Sequence, residues 1–66
     1  MDDYKSRLKF EKAELDSKIQ RLKVFIDGNT FQLVTAAEQR RLRRQEVIMG
    51  LYADVLDERI LAIPVD

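Results

Sequence analysis

Two apolar stripes at helical spacing, one of them too wide for its partner, constrain this chain more than any other feature. Tyr4, Leu8, Leu15, Ile19, Leu22 and Ile26 recur at intervals of three, four or seven residues, which places them on one face of an α-helix. Completing that seam in heptad register brings in Glu11 and Lys18, charges where a simple coiled coil carries apolar side chains. Farther along, Leu42, Met49, Tyr52, Leu56, Ile60 and Ile63 form one stripe, and Ile48, Leu51 and Val55 form a second beside it. Together they span an arc of roughly 200°, about twice what a surface helix turns toward a single core. One partner helix cannot cover that arc. The expected fold is all-α, an antiparallel two-helix hairpin whose copies assemble into a compact homo-oligomeric helical bundle.

Size points the same way. In a chain of 66 residues a single core rarely supplies more than a few kcal/mol, so such chains lean on disulfides, metals or oligomerisation. There is no cysteine, which removes disulfides, thiolate metal sites and cysteine nucleophiles. There is no histidine either, so the commonest general base and metal ligand is missing. Oligomerisation remains, and no cofactor or metal is expected. No apolar run approaches the ~18 residues of a membrane span, and no basic-then-apolar signal segment opens the chain. A soluble intracellular protein with no membrane partner is the expectation.

The formal net charge is zero, which argues against a general binder of DNA or RNA polymers. Its distribution is uneven. Residues 18–44 carry Lys18, Arg21, Lys23, Arg40, Arg41, Arg43 and Arg44 against only Asp27 and Glu38, a net +5 that leaves −5 for the rest of the chain. In an antiparallel hairpin one end is then positive and the other negative. Such a dipolar rod favours antiparallel packing against its copies, and its basic end attracts small anions.

The local signals divide the chain into helix 1 at about 2–27, a connector at 28–34 and helix 2 at about 35–63, one helical-hairpin domain over 1–66. Asp2 or Asp3 supplies an N-cap, because a short carboxylate accepts from the free N–H groups of the first turn. Asp27-Gly28-Asn29 reads as a stop, since Gly and Asn tolerate the left-handed conformation that ends helices. Phe31 and Leu33 are expected to fold back onto the hairpin end. Thr35-Ala36-Ala37-Glu38 matches a capping box, threonine serving a backbone donor and glutamate reaching back. Pro64 ends helix 2, lacking an N–H and disfavouring the α conformation before it. Gly50 inside helix 2 costs about 1 kcal/mol relative to Ala and suggests close approach by another helix.

Nothing here reads as catalytic machinery. The acidic pairs Glu11 with Glu14, and Asp54 with Asp57 or Glu58, are the solvated carboxylates that helices routinely carry. Arg40, Arg41, Arg43 and Arg44 wrap most of a turn, so they form no single groove-reading face. The plain reading is a solvated helix start, although Arg41 and Arg44 flank the Ile48 side of the apolar arc. Tyr4 and Tyr52 sit at core spacing, where a tyrosine usually packs its ring and wets its hydroxyl. Lys18 and Arg59 have the ordinary explanation of packed stems and wet heads.

The ordered set Tyr4-x-x-Arg7-Leu8, Glu11, Leu15, Lys18-Ile19, Leu22 and Phe25-Ile26, then Phe31, Leu33, Leu42, Gln45, Met49, Tyr52, Leu56 and Arg59-Ile60, is more than an amphipathic hairpin needs. It resembles a family of small phage proteins that share a helical-hairpin domain. The family includes the second type of anti-CBASS sponge, the hairpin portion of a Thoeris anti-defence sponge, and short proteins of crAss-like phages. The resemblance spans nearly the whole chain. It implies a homo-oligomer, typically a hexamer, that sequesters cyclic di- and trinucleotide immune signals intact in the cytoplasm of the infected host. It also implies that Tyr4 and Lys18 contact ligand, with Arg59 a further candidate and Arg7 joining them from the opening motif.

The chemistry suits that role. A cyclic dinucleotide needs π-faces for two bases and cations for two phosphates. Tyr4 and Lys18, fourteen residues apart, are separated by about 21 Å along one helix, too far for one compact ligand. Both can touch one ligand only from different protomers. The runner-up is a structural or adaptor hairpin that docks a protein partner through its apolar face, and a third reading is a nucleic-acid-binding inhibitor using the 40–44 run.

Overall fold

In the computed structural model, which describes residues 3–64, the described residues are all helical apart from short connections. Helix α1 spans Tyr4–Asp27, a short 3-10 helix spans Asn29–Leu33, and helix α2 spans Ala36–Leu61. The two long helices pack side by side into a rod of 50 × 19 × 15 Å. No helix among the described residues is long and apolar enough to cross a membrane.

Both helices start where a side chain can replace a missing backbone partner. The Asp3 carboxylate accepts from the Ser6 N–H at 2.8 Å, and that bond holds the Asp3 carboxyl below its usual range. Helix α1 therefore begins at Tyr4 with Asp3 as its cap; Asp2, the other candidate, lies outside the described residues. Thr35 Oγ1 accepts from the Glu38 N–H at 3.1 Å. Only half of the expected capping box forms, because the Glu38 carboxylate takes a hydrogen bond from Arg41 Nε at 2.9 Å instead. The cation one turn along is a stronger donor than a backbone amide.

The stop after α1 differs in kind from the left-handed turn expected of Gly28. Its backbone is extended, with φ −90° and ψ 171°. Space, not handedness, favours glycine there: a Cβ would lie 3.3 Å from the Val24 carbonyl oxygen. At the other end the helical hydrogen bonding runs to Leu61, and Ala62 closes it by donating to the Glu58 carbonyl. Ile63 lies past the helix yet still packs on the core.

Two apolar groups hold the hairpin. Leu8 and Leu15 of α1 meet Ala53 and Leu56 of α2, with Ile19, Met49, Ile60 and Ile63 packed around them. Leu56 is fully buried. At the closed end Phe31 folds back as expected, 3% exposed, whereas Leu33 points away and is 84% exposed. The Phe31 ring meets Phe25 edge-on at 6.0 Å and lies 5.0 Å beneath the Arg43 guanidinium. Gln39 Nε2 donates to the carbonyl oxygens of Phe31 and Val34, at 3.2 and 3.1 Å. The Phe31 carbonyl already accepts from the Val34 N–H at 3.3 Å, so the Gln39 amide is its second donor and also serves the Val34 carbonyl.

The wide arc of α2 divides as its breadth required. Met49, Ala53, Leu56 and Ile60 face α1, while Ile48, Leu51 and Val55 remain exposed. Gly50 meets no neighbour within the hairpin, since a Cβ there would find open space.

Candidate ligand-binding edge

One edge of the hairpin collects the side chains nominated from sequence. Tyr4, Glu11 and Lys18 follow each other at seven-residue steps on α1, and Tyr52 and Arg59 do so on α2. Residues seven apart lie nearly above one another on a helix, drifting by about 20°. The two rows meet through a hydrogen bond from the Tyr52 hydroxyl to the Glu11 carboxylate. The Glu11 carboxylate at that hydroxyl, with some desolvation, raises the Tyr52 phenol above its usual range, and Arg59 opposes the rise through its charge. Opposite, Lys12 bridges Asp16 at 2.7 Å and Asp57 at 3.1 Å. Those carboxylates, Asp16 foremost, raise the Lys12 ammonium.

The antiparallel arrangement sets the spacing along this edge. Tyr4 and Lys18 stand about 10 Å to either side of Glu11, and Arg59 stands about 10 Å from Tyr52 toward the Tyr4 end. Tyr4 and Arg59 therefore share the open end of the hairpin with Arg7, while Lys18 stands apart near the middle. Tyr4 is 53% exposed, and Arg7, Lys18 and Arg59 are exposed as well. All four side chains are thus at the surface, outside the core.

Two surface depressions among the described residues lie away from these side chains. The surface depressions are of about 350 Å³, lined by Arg41, Arg44, Gln45, Ile48 and Met49, and of about 420 Å³, lined by Ala37, Arg40, Arg41 and Arg44. Every lining residue belongs to α2, so both are open to one side. Neither includes Tyr4, Arg7, Lys18 or Arg59. The described residues also hold no group of three or more carboxylates positioned for a metal.

Sequence reasoning treated Glu11 as a misplaced charge and Tyr52 as an ordinary core tyrosine, and did not single out Lys12. The seven-residue steps 4–11–18 and 52–59 carried the signal. They mark an edge beside the core seam, where a charge and a hydroxyl can meet at the surface.

The family model called Sequestin matches residues 2–62. The chain belongs to the Sequestin family. The resemblance to phage sponge hairpins drawn from Tyr4, Lys18, Tyr52 and their neighbours is borne out by that match. The chain is also similar to a 7.5 kDa protein from the denB–rIIB intergenic region of Enterobacteria phage T4, 39% identical over 57 residues. The alignment covers 86% of this chain and 89% of the phage protein, so the two correspond nearly end to end. No solved structure matches the chain. Membership of the Sequestin family is consistent with a role in binding and sequestering.

Proposed function

We propose that this chain is a phage anti-defence sponge that captures cyclic di- and trinucleotide immune signals without cleaving them. It acts as a homo-oligomer, a hexamer being favoured, in the cytoplasm of the infected bacterium. The observation that carries this reading is the family match over residues 2–62.

The exposed edge supplies suitable chemistry. A tyrosine ring stacks a base for about 1–3 kcal/mol, and lysine or arginine meets each phosphodiester through a charge-assisted hydrogen bond. Tyr4 and Lys18 lie about 21 Å apart along α1, so a pocket using both takes them from different protomers. Capture alone suffices for function. When sites outnumber signal molecules and bind them more tightly than the host effector does, the free signal falls below the effector's threshold.

Retention followed by release tests the proposal. The purified protein is incubated with a panel of cyclic di- and trinucleotides, freed of unbound ligand, denatured, and its contents identified by chromatography and mass. Recovery of intact cyclic nucleotide is expected. Linearised product would make the protein an enzyme, and an empty protein would leave the adaptor reading, which the exposed Ile48, Leu51 and Val55 then favour.

A further inference from the structure

The outer face of α2 carries a pattern that the ligand-binding edge does not use. Arg44, Leu51 and Glu58 follow at seven-residue steps, so they form one line along the helix. Val47 and Val55 lie four residues to either side of Leu51, and Ile48 extends the same apolar patch. Val47, Ile48 and Leu51 are each more than half exposed and Val55 is 48% exposed. Arg44 and Glu58 are also exposed, and neither has an ion-pair partner among the described residues. This line faces nearly opposite to Ala53 and Leu56, which pack on α1. The hairpin itself cannot cover it.

Along the line Arg44, Val47, Leu51, Val55 and Glu58 the face is apolar to either side of Leu51 and opposite in charge at its ends, although Ile48 three residues before Leu51 is matched by Asp54 three residues after it. We infer that it is the contact for a second copy of this chain, with α2 packed antiparallel on α2 about a two-fold axis through Leu51. The inference rests on the homo-oligomeric reading above and names its interface and register. A two-fold through Leu51 sets Leu51 against its own copy and Val47 against Val55 of the other chain. Arg44 and Glu58 both lie about 10 Å from Leu51, so each arginine meets the other chain's glutamate, twice per interface. An isologous contact must be self-complementary in this way. In a parallel pairing like charges would face each other at both ends, which disfavours that register.

Charge reversal tests the register. Arg44→Glu and Glu58→Arg each turn two attractions into two repulsions, and each should weaken self-association by at least about tenfold, read as the dilution midpoint in sedimentation or native mass spectrometry. The double variant Arg44→Glu/Glu58→Arg restores both pairs and should recover most of the loss. Mixing the two single variants is more discriminating. Each mixed interface joins two glutamates on one chain to two arginines on the other, so mixed complexes should outnumber either parent. Circular dichroism checks that the helices persist in every variant.

An independent arm uses the absence of native cysteine. Leu51→Cys should give a disulfide-linked pair under mild oxidation, and the still more exposed control Leu61→Cys should not. Single reversals that associate like the parent, a double variant that does not recover, or an uncrosslinked Leu51→Cys protein would each overturn the inference. Nucleotide retention is measured on the same samples. Retention without any charge effect sinks this interface and spares the sponge, and the specified pairing without retention does the reverse.

Discussion

The Tyr52 hydroxyl donates to the Glu11 carboxylate across the hairpin, tying a residue of α2 to the charge that interrupts the apolar seam of α1. That contact explains why a glutamate is tolerated in the seam. It sits at the edge, where one oxygen is met by a phenol and the rest of the carboxylate is wet. It also fixes the side of the hairpin on which Tyr4, Lys18 and Arg59 stand.

A pH effect follows from the same pair. Glu11 raises the Tyr52 phenol, so folding binds the phenolic proton more tightly than the unfolded chain does. The resulting stabilisation is present below the ordinary phenol value of about 10 and is lost as pH rises through the higher folded value. In a Tyr4→Phe background Tyr52 is the remaining tyrosine, and its phenolate absorbance should titrate above that of an unfolded control. Adding Glu11→Gln should lower the midpoint and reduce the alkaline loss of stability. A midpoint unmoved by Glu11→Gln would mean that the hydrogen bond is not held in solution.

Ligand capture should depend on Tyr4 and Lys18 together. Tyr4→Ala and Lys18→Ala are each expected to weaken cyclic-dinucleotide binding by at least tenfold, about 1.4 kcal/mol, without dissociating the oligomer. Because the two residues come from different chains in the proposed pocket, mixing the variants under conditions of subunit exchange should restore part of the capacity. Calorimetry on the mixture reads this directly. No recovery despite exchange would overturn the shared pocket while leaving the sponge function standing.

The core should be sharply graded. Leu56→Ala removes a fully buried side chain and is expected to cost about 2–5 kcal/mol. Leu61→Ala, at 85% exposed, should change stability by no more than about 0.5 kcal/mol. Denaturant melts at matched protein concentration separate the two, since association contributes to apparent stability.

At the closed end, Gln39→Ala removes the amide that donates to the Phe31 and Val34 carbonyl oxygens; the Phe31 carbonyl keeps its bond from the Val34 N–H, so the expected cost is about 0.5–1.5 kcal/mol. Hydrogen exchange should show faster opening of residues 29–34 before any change in α2. Uniform acceleration along the chain would mean that the turn and the helices open as one unit.

The helices and their starts were legible in the chain itself, because caps and apolar periodicity are local. Asp3, Thr35 and the helical spacing of Leu8, Leu15 and Ile19, and of Met49, Leu56 and Ile60, depend only on neighbours within a turn or two, whereas Ala53 carries no such signal. The excess breadth of the α2 arc was equally legible, since counting apolar positions at 100° per residue needs no partner. Tertiary structure decided what depends on pairing between the helices: that Glu11 meets Tyr52, that Lys12 meets Asp57, and that Phe31 is buried while Leu33 is not. It also decided that a side chain at Gly28 would crowd the Val24 carbonyl at 3.3 Å, and that no left-handed turn is made there. Such choices turn on which side chains the hairpin register brings to the same level. Periodicity within one helix is blind to the phase of the other.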